Sequence, residues 1–108
     1  MENTLFKIVK NRKRPVGCVV AEKIDKTVYV TGSLCNLRAD RFNKQRALAL
    51  ALDRAYAMHD EGRDCPLPAS LRYEIECMTD RAHRYFKDAN VIRATVKAMP
   101  PPSHENLA

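Results

Sequence analysis

The chain is predicted to fold as α+β, a three-stranded antiparallel β-meander followed by two helices in the order β-β-β-α-α, with the first helix packed on one sheet face. Three observations carry this. β-Branched runs joined by short polar links fill residues 4–31, strong helix formers with apolar residues at helical spacing fill 41–58, and a further apolar stripe runs on from Leu71. Strands gathered before helices are the α+β pattern, whereas a parallel sheet alternates the two. A single domain is expected over residues 1–99, and a disordered tail over 100–108, because Pro100-Pro101-Pro102 stops any helix. With 108 residues the domain buries roughly two-thirds of the surface its unfolded chain would expose, so no disulfide or metal is required to hold it.

Thr4 to Lys10 suits a short strand, with Phe6 and Ile8 on one face and Leu5 and Val9 on the other. Asn11 to Pro15 follows as a basic turn. Pro15 has no N–H to give to a ladder, so it should open the next strand. Val16 to Ala21 and Thr27 to Thr31 are the second and third strands, and Lys23-Ile24-Asp25-Lys26 reads as a four-residue hairpin loop. With Glu22 facing Thr27, Val19 opposes Val30, Val20 opposes Tyr29 and Ala21 opposes Val28. One face then carries Val19, Ala21, Val28 and Val30, where a helix would pack. Gly17 would oppose Gly32, which marks a twist or a close approach by another group. Tyr29 offers a ring for base stacking if it faces outward.

Asp40 is a good N-cap for a helix from Arg41 to about Met58, with Phe42, Ala49, Leu52 and Tyr56 on its apolar face and Leu48 and Ala55 beside them. Asp60 to Pro68, with Gly62 and Pro66, reads as a loop. A second helix is expected from near Ser70 to residue 98. Leu71, Ile75, Met78, Ala82, Tyr85, Ala89, Ile92 and Val96 recur in alternating steps of four and three. That average of 3.5 is the period of a coiled-coil seam, which would allow a homodimer. Alanine at two of the eight positions makes a weak zipper, so a long helix lying across its own domain is favoured, with a break allowed near Asp88-Ala89-Asn90.

Charge is divided unevenly. Residues 1–46 hold eleven Lys or Arg against four Asp or Glu, and residues 47–108 hold eight against nine, so the first part carries +7 and the rest −1, for a net +6. Such asymmetry bears on partners and encounter, and it points to an acidic surface, with nucleic acid the commonest. Lys10, Arg12, Lys13 and Arg14 cluster in the first strand and its turn, while Arg41, Lys44 and Arg46 stand with Arg38 at the start of the first helix. Cations are disfavoured at a helix N-terminus, where the macrodipole is positive, and a bound anion would offset the penalty. These seven residues are the expected phosphate contacts. Solvation of a charged surface is the plainer reading of the same residues.

Catalysis finds no support. Cys18, Cys35, Cys65 and Cys77 are separated by 17, 30 and 12 residues, unlike the close pairs of a structural zinc site. His59, His83 and His104 are tied to no nucleophile by a motif, and Glu74 and Glu76 fall on different helical faces. Three dispersed glycines make no phosphate loop. No metal or cofactor is therefore expected, and no enzymatic activity. No signal-peptide pattern follows Met1 and no run approaches the ~20 apolar residues of a membrane span, so a cytoplasmic protein with reduced thiols and no membrane partner is expected.

Pro15-Val16-Gly17-Cys18-Val19-Val20-Ala21, then Gly32-Ser33-Leu34-Cys35-Asn36 and Asp40-Arg41-Phe42-Asn43-Lys44, with Arg46-Ala47 through Arg54-Ala55, resemble small non-structural accessory proteins of tailed bacteriophages. The resemblance covers the first half of the chain and brings no catalytic residues. It implies a phage-encoded protein of the infected bacterial cytoplasm that redirects or blocks a host machine. The expected function is non-enzymatic contact with nucleic acid. The alternative is an inhibitor or modulator that binds an acidic surface of a host protein, with Tyr73, Tyr85 or Phe86 as apolar anchors and the basic face speeding encounter.

Overall fold

Strands β1 (Thr4–Asn11), β2 (Arg14–Ile24) and β3 (Thr27–Leu34) form the predicted antiparallel meander, and a short fourth strand, β4 (Asn90–Arg93), joins it parallel to β3. A computed structural model describes residues 3–35 and 41–98. The expected disordered tail, the Asp40 cap and Arg38 lie outside the described residues. Helices α1 (Lys44–Glu61) and α2 (Arg72–Tyr85) cover opposite faces of this mixed four-stranded sheet. The architecture is α+β, and among the described residues no helix is long and apolar enough to cross a membrane.

The β2–β3 link is tighter than expected. Ile24 pairs with Thr27 across a two-residue turn, Asp25-Lys26, in place of the four-residue loop. Asp25 adopts φ 58°, a left-handed conformation that aspartate tolerates better than most residues. The register therefore runs Glu22 to Tyr29, Ala21 to Val30, Val20 to Thr31 and Val19 to Gly32. A slip of two keeps every side chain on its expected face, since strand faces alternate with period two. Gly17 pairs with Leu34, not with Gly32, yet both glycines do mark close backbone approach. A Cβ on Gly17 would collide with the Ser33 carbonyl oxygen, and one on Gly32 would lie 2.5 Å from that of Cys18.

The face with Val19, Ala21, Val28 and Val30 is fully buried, but α2 packs there and not α1. Leu71, Ile75, Met78, Ala82 and Phe86 supply its side of the core. The expected seam is thus consumed within the domain for its first four positions, which removes the basis for a zipper homodimer. Tyr85 drops out of the stripe and its neighbour Phe86 enters, 7% exposed. The helix does not run to residue 98. After Phe86 the chain turns through Lys87 to Ala89, with the Ala89 N–H donating to the Phe86 carbonyl at 3.2 Å. Val91, Ala94 and Val96 then face the core in an extended segment, where β-branched residues fit well. The Val96 end is covered in turn by Leu67, through Leu67 N–H to Thr95 O and Lys97 N–H to Leu67 O, both 2.8 Å.

Helix α1 takes the other face. Its N-cap is Asn43, whose Oδ1 accepts the Arg46 N–H at 3.0 Å, so the helix starts three residues later than expected. Gly62 ends it at φ 64°, in the left-handed conformation that suits glycine at a helix C-terminus. The buried stripe is Ala47, Ala51 and Ala55, with the expected Phe42, Leu48 and Leu52 packed half-buried beside it, while Ala49 and Tyr56 are exposed. Small residues four apart let the helix sit close over Phe6, Ile8, Cys18 and Val20. Polar ties accompany this packing: Ser33 Oγ donates to the Ala47 carbonyl at 2.8 Å, and Arg54 donates to the Gly32 carbonyl at 2.7 Å. Glu22, buried at the same interface, accepts from Thr4 Oγ1 and, at 3.2 Å, from the Tyr56 hydroxyl.

Candidate nucleic-acid interface

The β1–β2 turn and the start of α1 lie at the same end of the sheet. β2 begins just beyond the turn, its Gly17 pairs with Leu34 at the close of β3, and the Cys35 N–H donates to the Val16 carbonyl at 2.7 Å. Topology therefore brings Lys10, Arg12, Lys13 and Arg14 to the end where Arg41 and Arg46 stand. Lys44 reaches back over the α1 face, its ammonium 5.2 Å from the Phe6 ring centre. All seven side chains are exposed, and none has a carboxylate partner among the described residues. The chain has no Asp or Glu between residues 3 and 21 or between 41 and 52.

The turn itself is unusual. Asn11 pairs with Arg14, leaving Arg12 and Lys13 as the two central residues, at φ 52° and 68°. Such a turn matches strand twist but asks for two left-handed residues, which is why Asn-Gly is the usual choice. A side chain other than Gly, Asn or Asp costs roughly 1–2 kcal/mol there. The two cations are held at the tip of the hairpin at that expense. At the helix start, α1 has no acid in its first turn, and Lys44 and Arg46 oppose the macrodipole. Between β3 and α1 lies a cleft of about 120 Å³ lined by Leu34, Cys35, Arg41, Asn43, Arg46 and Leu50, among others.

The remaining cations are elsewhere. Lys7 bonds Glu74 of α2 at 3.3 Å, and Lys23 and Lys26 stand at the opposite end of the sheet. The proposed anchors also separate. Tyr73 is 71% exposed at the start of α2, its phenol pKa raised first by the Cys77 thiol and then by Glu74. Tyr85 is 57% exposed at the other end of that helix, and Phe86 is a core residue, so it is not available to a partner. Tyr29 is buried against His59, ring centres 5.7 Å apart, and cannot stack a base. Among the described residues no group of three or more His, Cys, Asp or Glu is placed to hold a metal. Cys18 is buried with its thiol 3.7 Å from Ser33 Oγ, and burial pushes its pKa up, which makes it a poor nucleophile.

One titratable cluster is not legible in the chain. His59, near the C-terminus of α1, places Nδ1 2.7 Å from Asp60 and Nε2 3.0 Å from Asp25 in the β2–β3 turn. Only the fold brings residues 25 and 59 together, so no spacing announces them. The imidazole pKa is raised, first by the bond to Asp60, with desolvation opposing and Asp25 adding. A folded pKa above the unfolded one gives stability that is complete below the ordinary value of 6.5 and is lost as pH rises through the folded value. The melting temperature should accordingly fall more for the native chain than for His59→Gln between about pH 6 and about pH 8. Equal slopes for the two would show that the clamp contributes nothing.

Compared with known proteins, the chain matches no family model, no curated protein and no solved structure.

Proposed function

We propose that this protein is a small basic binding protein, not a catalyst, that holds nucleic acid by phosphate contacts through Lys10, Arg12, Lys13, Arg14, Arg41, Lys44 and Arg46. The observation that carries the reading is the β1–β2 turn, where Arg12 and Lys13 occupy left-handed positions that glycine or asparagine would fill with less strain. A charge serving solubility alone has no need of that position. The helix start supports the same ligand, since Lys44 and Arg46 sit where an anion relieves their repulsion from the macrodipole. The resemblance of the first half to phage accessory proteins is in keeping with action in an infected bacterium.

Phosphate contacts carry no sequence information, so arbitrary duplexes should bind alike. Fluorescence polarisation of a labelled duplex should give a log Kd that rises with log salt with a slope of about 6, as expected if each of the seven cations neutralises one phosphate. No binding at low salt would end the reading. A second reading, an acidic surface on a host protein, is favoured by Leu34 and Leu50, exposed at 40% and 44%, which line the cleft with Arg41 and Arg46. Apolar anchors ringed by cations suit such a surface. Pull-down from nuclease-treated bacterial lysate would then retain one dominant protein, released by Leu50→Asp.

A further inference from the structure

We propose a second ligand site at the opposite end of the sheet, where Tyr85 stacks a base of a single-stranded nucleic acid and Lys23, Lys26 and Lys87 hold its adjacent phosphates. The four side chains line one cleft of about 500 Å³, together with Phe86, Asp88 and Ala89. They come from separate segments: Lys23 from the end of β2, Lys26 from the β2–β3 turn, and Tyr85 and Lys87 from the end of α2 and the turn after it. A lysine just past a helix C-terminus is explained by the macrodipole, but Lys23 and Lys26 belong to the sheet, and that explanation does not reach them.

The aromatic ring is presented, not merely uncovered. Tyr85 is 57% exposed, while its edge-to-face partner Phe86 is buried in the core, with ring centres 4.8 Å apart at 79°. Anchored in this way, the exposed ring is a rigid platform, and such a platform accepts any base because every base has a π-face. The nearby acids leave the cleft cationic. Asp88 is the single acid lining it, and Asp25 in the same turn is engaged by His59 on the α1 side. An aromatic face beside three ammonium groups favours a nucleotide strand over an acidic peptide, which would use the lysines but not the ring.

The two sites are separated by the length of β2, eleven residues or roughly 33 Å, so each is open to mutation without the other. The test uses the full chain with two probes, a labelled oligothymidylate of about 12 nucleotides, within the span of one such site, and a labelled duplex. Tyr85→Ala should weaken oligothymidylate binding by about tenfold while Tyr85→Phe keeps it, and the duplex affinity should not change with either. Lys23→Glu with Lys87→Glu should weaken the oligothymidylate as well. The proposal is overturned if Tyr85→Ala, with its melting temperature unchanged, keeps full affinity for the oligothymidylate, if it weakens both probes alike, or if the oligothymidylate does not bind. Failure of the duplex alone would count against the basic-turn reading and leave this site standing.

Discussion

Reversal of Arg12, Lys13 and Arg14 to glutamate is expected to weaken duplex binding by about 100-fold at low salt, with the fold intact. The size follows from exchanging three attractive charges for three repulsive ones at a surface whose proposed affinity is electrostatic. Intact folding follows from exposure, because none of the three touches the core and none has a carboxylate partner among the described residues. Circular dichroism and a melting curve check the fold, and fluorescence polarisation reads the affinity. The salt dependence should flatten at the same time, by about 0.9 for each phosphate that is no longer neutralised. A uniform loss with an unchanged slope would mean that these residues act through structure and not through charge.

Arg12→Asn combined with Lys13→Gly is expected to act in opposite directions on stability and on binding. The substitutions supply the residues that the turn geometry prefers, and they relieve two left-handed side chains at φ 52° and 68°. Relief of roughly 1 kcal/mol at each position raises the melting temperature by about 10 °C in a domain of this size. Duplex affinity should fall about tenfold, since two of the proposed phosphate partners are gone. Surface positions that stabilise when replaced and lose function in the same step are the sign of a site held under strain. If the double variant is no more stable than the native chain, the strain is not there and the main support for a functional turn goes with it. Arg12→Ala with Lys13→Ala separates the two effects, because it removes the charges but keeps side chains at both left-handed positions.

The meander is legible because β-branched runs of this length have few alternatives, and its faces come out right even where the register does not. The register differs by two residues because Lys23 to Lys26 is polar enough to pass for a loop, whereas Asp25 tolerates a left-handed conformation and closes the turn with Lys26 alone. The fourth strand is hidden by a coincidence of periods. Ala89, Ile92 and Val96 continue the helical stripe of Leu71 to Ala82, while the residues that pack against the core in the fold are Ala89, Val91, Ala94 and Val96. Helix α1 is where the sequence places it, with Phe42, Leu48 and Leu52 against the sheet as expected, but its most buried line is Ala47, Ala51 and Ala55 and Tyr56 turns outward, because a close approach to the sheet selects the small residues. The exchange of Tyr85 for Phe86 in the core of α2 is of the same kind, since adjacent helical residues point about 100° apart.

Charge is the most readable feature of the site. A list of lysines and arginines is the same in the chain and in the fold, and their segregation into residues 1–46 is plain in the linear order of the residues. What the chain does not display is how that charge is distributed in space: Lys7 on Glu74, Lys23 and Lys26 at the far end, and Lys10, Arg12, Lys13, Arg14, Arg41, Lys44 and Arg46 around the hairpin tip and the start of α1. Nor does it show that Arg12 and Lys13 are left-handed, because neither residue type has a preference for that turn.

The central claim is that the cations of the β1–β2 turn and the start of α1 meet one nucleic-acid backbone. Nuclear magnetic resonance of the labelled chain during titration with a short duplex tests it most directly. Amide shifts concentrated at residues 10–14 and 41–47 are expected, with the α2 surface around Tyr73 and Cys77 unchanged. Shifts confined to α2, or a spectrum indifferent to duplex at low salt, would contradict it.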